Sequence, residues 1–402
     1  MIRGALADHH SRPIEIAGGE GCYLIDRDGK RYLDFIAGWC VGNIGWKNPV
    51  VRKAIEAEAK EGRYVPQLFR DPRAEAFAKT LIRISPGKRL ARAYRCTSGS
   101  EAVEMAIKCA RAATGKPAIV SVDGVYHGHT YGAASVGDAC RDGMEPCAPA
   151  FLKIPMPHPR YGAAPEESLA AFRKLIDSRD DIAAFLSEPV WTNAGAIIPP
   201  KGFLKDLEML CRKRGILFIM DEVATGFGRC GALFASELDS LEPDILCLAK
   251  GLTGGYATMG ACLVSERVYK ASAHLPMYST FGWLSQDLAA TAANVGVILD
   301  GKLWQQAKTV GARMLKRLKA LEDLPFVAEV RGMGLLLGIE IVKEKTSMKP
   351  DYGRVDRILD QTAEEGLLLD SAGHALFITP PLILSEDDAD HGCGILERII
   401  RG

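Results

Sequence analysis

The sequence predicts an α/β protein: a large domain with a mostly parallel sheet covered by helices, and a smaller α+β domain built from both chain ends. Two observations predict it. Between about Arg92 and Ser265, short apolar runs alternate with helical periodicity: AIVSV at 118–122, IAAFLS at 182–187, ILFIM at 216–220, ILCLA at 245–249 and ACLVS at 261–265. Strands this uniformly apolar are covered on both faces, which requires a sheet sandwiched by helices. The chain ends differ from this centre. CYLIDRDGKRYLDF reads as two short strands joined by a turn at Asp28 and Gly29, where a left-handed backbone is needed. After Leu284 a long helical pattern leads to LLLGIEIV, LLLD and ALFITPPL, strands that return to the small domain. No repeat, low-complexity tract or Ser/Gly/Pro linker separates independent modules, so the domains interweave. The expected division is 1–45 and 291–402 for the small domain and 46–290 for the large one.

Composition narrows the function. A chain of 402 residues has length enough for one large core and a smaller one. Fifty basic residues balance fifty acidic ones without a long run of either sign, which disfavours nucleic acid and anionic membrane surfaces. The first twenty residues lack the apolar stretch of a signal peptide, and no run approaches the roughly 18 residues that span a bilayer, so a cytoplasmic protein is expected. The eleven cysteines are odd in number and none lies within three residues of another, which points to reduced core thiols rather than a disulfide framework or zinc pair. His127 and His129 in YHGHT have no nearby ligand cluster, so no metal is expected.

In parallel sheets ligands sit beyond the carboxyl ends of the strands. The residues there are polar: Asp123 to His129, Glu188, Asp221, Glu222 and Lys250. Ahead of this region, Thr97-Ser98-Gly99-Ser100-Glu101 precedes a helical face of Ala102, Val103, Ala106, Ile107 and Ala110. Ser98 or Ser100 caps that helix, and its free amides make a phosphate seat, although most Ser-Gly helix starts are only caps. Asp221 ends an apolar run; a carboxylate there is either a simple N-cap or the partner of a protonated ring nitrogen. Lys250 also follows such a run, where desolvating an ammonium gains no stability but makes the amine a nucleophile towards an aldehyde. Phosphate seat, strand-end Asp and strand-end Lys on one sheet are hard to explain without a shared ligand. Neither GxxxxGK[ST] nor an early GxGxxG is present, which argues against a P-loop site and a Rossmann oxidoreductase.

The blocks TSGSEAVEMAIKCAR, YHGHT, SEPV, MDEVATGFGR, LAKGL, TFGW and VRGMGLLLGIEIV resemble the successive signatures of class III, fold-type I, pyridoxal 5′-phosphate (PLP) aminotransferases, from about residue 20 to the C-terminus. The resemblance implies PLP held as a Schiff base on Lys250, with Asp221 on the pyridine nitrogen. It implies Val223 on one ring face, Tyr126 on the other with His127 beside it, Gly99 and Ser100 at the phosphate, and Glu188 near the ring hydroxyl. Thr280 in STFGW resembles a threonine that reaches the phosphate from a partner subunit, which implies a homodimer with shared active sites. The implied reaction moves an amino group from an amine or amino-acid donor to a keto acid by ping-pong kinetics. Phospho-lyase, decarboxylase, racemase or aminomutase chemistry would share every PLP block, whereas a non-catalytic PLP carrier would be expected to lack Lys250 or Asp221.

The pattern breaks at the substrate. Members acting on ornithine, acetylornithine or 4-aminobutyrate resemble one another in an Arg three residues before the first proline of PPL, where Phe377 stands here. Amine-pyruvate members place a switchable Arg about ten residues before it, where Asp370 stands here. Trp39 in AGWCVGNIG resembles the tryptophan lining the substrate pocket of the amine-pyruvate, or omega-transaminase, group. Trp39, Phe377 and Asp370 are therefore the expected pocket residues, favouring hydrophobic amines, with Asp370 repelling a distal carboxylate. The alternative is a carboxylate clamp from another arginine, such as Arg70 or Arg141.

Overall fold

The computed structural model describes residues 14–139 and 141–402. Of the expected first segment, 1–45, residues 1–13 lie outside the described residues. The hairpin forms as expected: β2 (Tyr23–Asp26) and β3 (Arg31–Asp34) pair antiparallel, and Gly29 takes φ 82° in the turn. β1 (Ile16–Glu20) adds to it as a third strand.

Seven strands form the central sheet: β4 (Leu90–Cys96), β5 (Ala118–Val122), β6 (Phe151–Ile154), β7 (Ile182–Ser187), β8 (Leu217–Asp221), β9 (Ile245–Leu248) and β10 (Gly260–Ser265). Their order is β4-β10-β9-β8-β7-β5-β6, parallel throughout except that β10 runs antiparallel to both neighbours. The reversal puts the start of β10 at the same edge as the ends of β5, β7, β8 and β9. Every residue of those five strands is buried. Alternation explains how: Leu217 and Ile219 of β8 join one apolar cluster with Val103, Ala106 and Ala110 of helix Gly99–Thr114, while Phe218 and Met220 join the opposite one with Leu204 and Leu207 of helix Phe203–Arg214.

The C-terminal part supplies β11 (Val327–Met333), β12 (Leu336–Ile341), β13 (Leu367–Leu368), β14 (Asp370–Ala372) and β15 (Ala375–Ile378). LLLD splits between two sheets. β13 pairs parallel with β3, so residues more than three hundred positions apart close the first sheet, and β14 joins a separate sheet of order β11-β12-β15-β14. Nine of the ten described cysteines are buried, Cys147 being the exception.

Candidate active site

At the carboxyl edge of the central sheet lies a cavity of about 350 Å³ lined by Gly99, Ser100, Tyr126, His127, Glu188, Asp221, Val223 and Lys250, together with Thr192 and the 257–259 segment ahead of β10. Eight of the nine expected cofactor residues thus converge on one space. Thr280 is the ninth; it lies exposed outside the lining, its carbonyl accepting from Tyr64 Oη at 2.7 Å.

Ser98, not Ser100, caps the helix, its hydroxyl accepting from the Glu101 amide at 3.1 Å. Ser100 is instead free to serve the loop that follows β5, its Oγ accepting from the His129 amide at 3.3 Å. The closeness depends on two glycines. A Cβ on Gly99 would lie 2.8 Å from Val223 Cγ1, and one on Gly128 would lie 2.6 Å from Ser100 Oγ. A side chain at either position would displace the loop or the turn after β8 from the cavity.

Asp221 ends β8 with both oxygens engaged: Oδ1 accepts from the Val223 amide at 3.1 Å, and Oδ2 lies 2.8 Å from His127 Nδ1. The imidazole is buried, and its Nε2 has no partner among the described residues. The adjacent Glu222 serves the fold, accepting from the Ala235 and Ser236 amides at 3.0 and 2.7 Å and from Thr225 Oγ1 at 2.7 Å. Glu188 follows β7; its Oε2 accepts from the Thr192 amide at 3.2 Å and from Thr192 Oγ1, leaving Oε1 buried and without a partner among the described residues. Burial, reinforced by the charge of Asp221, pushes the Glu188 carboxyl up to about 8. Lys250 begins a short turn after β9 with φ 46°, a strained left-handed backbone for lysine, fixed by Thr253 N donating to Lys250 O at 2.9 Å. Thr192 is the main lining residue that sequence reading missed; its only signal is its place four residues after Glu188.

The expected substrate residues assemble elsewhere. Asp370 and Phe377 face each other on β14 and β15, and both meet Trp39: its Nε1 donates to Asp370 Oδ2 at 2.8 Å, and its ring lies 4.6 Å from that of Phe377. Trp39 and Asp370 line a second cavity of about 1140 Å³ between the terminal sheets. Phe377 is buried in an apolar cluster that also contains Ala224, a residue of the first cavity's lining. Arg70 is exposed and Arg141 pairs with Asp138 at 3.3 Å; neither lines the first cavity.

The first cavity fits PLP on this chain's own geometry. It offers an anion seat at a helix start, a carboxylate oriented by an imidazole, an amine on a rigid turn, and two buried polar atoms, Glu188 Oε1 and His127 Nε2, without protein partners.

Comparison with known proteins agrees. The family described as aminotransferase class-III matches residues 6–400. The acetylornithine aminotransferase of Methanothermobacter thermautotrophicus is 35% identical over 393 residues, covering 97% of this chain and 94% of its own. A crystal structure of an amine transaminase from an uncultivated Pseudomonas species, in its PLP-bound form, superposes with a TM-score of 0.92 at 32% identity, covering 100% of this chain and 97% of that one. An (S)-enantioselective omega-transaminase from Thermomicrobium roseum gives 0.91 at 31% identity, with 97% and 92% covered. Fold and cavity together define a PLP-dependent transferase of fold type I. Within that class, the chain belongs to the class III aminotransferases, and it moves amino groups between a donor and a keto acid.

Proposed function

We propose that the donor is a hydrophobic amine rather than a substrate gripped by a distal carboxylate, and that the chemistry runs through Lys250. One observation carries the choice of donor: among the described residues no arginine lines the Lys250 cavity, and the two positions expected for a clamp are Phe377 and Asp370, both committed to Trp39. A bidentate guanidinium contact has no substitute in either side chain.

PLP, when bound here, would supply an electron sink for the donor carbon. Lys250 would hold the cofactor through its amine, and that amine, once free, would accept and return the proton at Nζ. Asp221, its carboxylate held in place by His127, would pair with the ring nitrogen and keep it protonated. Glu188, with Oε1 buried in the cavity and without a partner among the described residues, would hold the ring hydroxyl. The carbonyl product leaves before the keto acid enters, giving ping-pong kinetics. We place the reaction in a cytoplasmic homodimer with shared sites, the phosphate of each reached by the partner subunit's Thr280, and retain 1–45, 46–290 and 291–402 as the domain division. Exposed Tyr64, Leu68, Phe69, Tyr278 and Phe281, on the segments that flank the Tyr64–Thr280 hydrogen bond, support that surface. Among the described residues no helix is long and apolar enough to cross a membrane.

The relatives named acetylornithine aminotransferase favour a second donor class, so the test compares the two directly. With pyruvate and with 2-oxoglutarate as acceptors, kcat/KM for an aryl-alkyl amine is expected to exceed that for acetylornithine and for 4-aminobutyrate. A preference for either carboxylate-bearing donor would overturn the assignment.

A further inference from the structure

A buried polar cluster on β11, β12 and the β14–β15 turn takes no part in the chemistry described above. Arg331 of β11 is 5% exposed; its Nη1 meets Glu329 Oε2 at 2.7 Å and also Glu340. His374 Nε2 lies 3.0 Å from Glu340 Oε1, and His158 Nε2 lies 3.1 Å from Glu329 Oε2. Burial opposes charge on Glu340, but the His374 hydrogen bond and the Arg331 guanidinium hold it down to about 2. His158, Glu329 and Glu340 are close enough together to suggest a metal site, yet the Arg331 guanidinium already bridges the two carboxylates with its own charge. Buried ion networks rarely stabilise a fold more than apolar packing would, so the geometry they fix is the informative part.

That geometry reaches the cavity. Arg331 Nε donates to Gly195 O at 2.9 Å, and Arg160 Nη1 donates to Ala194 O at 3.0 Å. Gly195 N in turn donates to Thr192 O at 3.1 Å, and Thr192 holds Glu188 Oε2 through its amide and hydroxyl. Trp191 and Ile197 exchange backbone hydrogen bonds of 3.0 and 3.1 Å, which closes the loop into one unit. The seat allows little play. A Cβ on Gly195 would lie 2.8 Å from Ala375 Cβ, and one on Gly338 of β12 would lie 2.5 Å from Gly195 O.

We infer that Arg331 is a positioning residue for amino transfer: by holding the Gly195 carbonyl it fixes the 192–195 turn that orients Glu188 in the cofactor cavity. The inference rests on Glu188 acting at the cofactor. Arg331 itself does not line the cavity, so it acts through the turn. The charged and titratable groups around Glu188 are Asp221, Lys250, Cys40 and Cys230; those around Arg331 are Glu329, Glu340, His374, His158, Arg160 and Tyr161.

The test uses PLP-loaded enzyme carrying Arg331→Met, Arg331→Lys, Glu188→Gln and the Arg331→Met/Glu188→Gln pair. Arg331→Met is expected to retain cofactor but to lower kcat by about tenfold to a hundredfold, as a misplaced active-site group does, with the donor KM little changed. The pH midpoint of the visible cofactor band is expected to move, and Arg331→Lys to recover part of kcat through its single ammonium. In the Glu188→Gln background the Arg331→Met change should cost less than about twofold. A lowered melting temperature with unchanged kcat and band would reduce Arg331 to a structural role and overturn the inference. So would a full additional loss in the Glu188→Gln background. If Arg331→Met does not fold, Gly338→Ala pushes on the same carbonyl without removing charge; a folded Gly338→Ala enzyme with normal kcat and band overturns the inference equally. Normal kcat and band in Glu188→Gln alone would instead remove the role of Glu188 on which the inference rests.

Discussion

Lys250 and Glu188 show how far single side chains can be understood from their surroundings. Among the described residues Lys250 is the one lysine lining the cavity, and its left-handed backbone is tolerated because the turn Lys250–Leu252 over-determines it. Borohydride reduction followed by peptide mapping is expected to find the cofactor on Lys250 alone, and Lys250→Ala to abolish both the covalent link and turnover; label on any other lysine would remove the assignment. Glu188 gives a prediction about stability. Its carboxyl is pushed from about 4.5 to about 8 by burial beside Asp221, so the folded chain without cofactor binds the proton more tightly than the unfolded chain does. An acid raised in this way contributes fully below about pH 4.5 and loses its contribution as pH rises through about 8. Relative to Glu188→Gln, the melting temperature of the cofactor-free parent should therefore fall between those limits. A difference that is flat with pH would contradict the buried, proton-retaining carboxyl. Both residues were marked in the sequence by their place after an apolar run. The hydrogen bonds of the site were not, because Thr192 reaches Glu188 and His127 reaches Asp221 from loops whose path no periodicity encodes.

At the scale of elements, legibility followed burial. Strands β5, β7, β8 and β9, covered on both faces, were visible as apolar runs to within a residue or so of their ends. The edge strands β4 and β6 were not visible, because an edge exposes part of its surface and breaks the apolar pattern with Arg92, Arg95 and Lys153. The direction of β10 was equally hidden, since a reversed strand in a covered sheet has the same composition as its neighbours. The β14–β15 hairpin carries the element-scale prediction. Phe377 and Asp370 looked like two separate departures from a pattern, yet as cross-strand partners they form one support for Trp39. That support matters because Ala37, Gly38, Trp39 and Cys40 are all left-handed, with φ of 43°, 59°, 60° and 67°, and such strain persists only where surrounding contacts impose it. Asp370→Asn keeps an acceptor for the indole N–H while removing the charge, whereas Asp370→Leu removes both. If Asp370 acts by holding Trp39, only the Leu variant should change the ranking of amine donors by kcat/KM. If it acts by repelling carboxylates, both variants should gain on 4-aminobutyrate.

For the whole molecule, the open question is what completes the cavity. The chain ends fold onto each other through β3 and β13, and Arg229, in the loop after β8, ties that loop to both of them, donating from Nη1 to Leu335 O at 2.9 Å in the C-terminal part and from Nη2 to Asn43 Oδ1 at 2.7 Å in the N-terminal part. One chain thus brings together eight of the nine residues expected at the cofactor. Thr280, exposed beside Tyr64, is left facing outward. A hydroxyl that reaches the partner subunit's phosphate should contribute as a hydrogen bond to a charged group does, so Thr280→Ala is expected to weaken cofactor retention by roughly tenfold or more. Mixed dimers separate a shared site from a local effect. When a Thr280→Ala subunit pairs with a Lys250→Ala subunit, one site combines an intact Lys250 with the partner subunit's intact Thr280, while the other lacks both. Dialysis of such tagged mixed dimers should leave one tightly held cofactor per dimer, with half the parental turnover. Neither homodimer can supply that result. If the Thr280→Ala subunit loses cofactor as readily in the mixed dimer as in its own, Thr280 acts within its own chain and the sites are not shared.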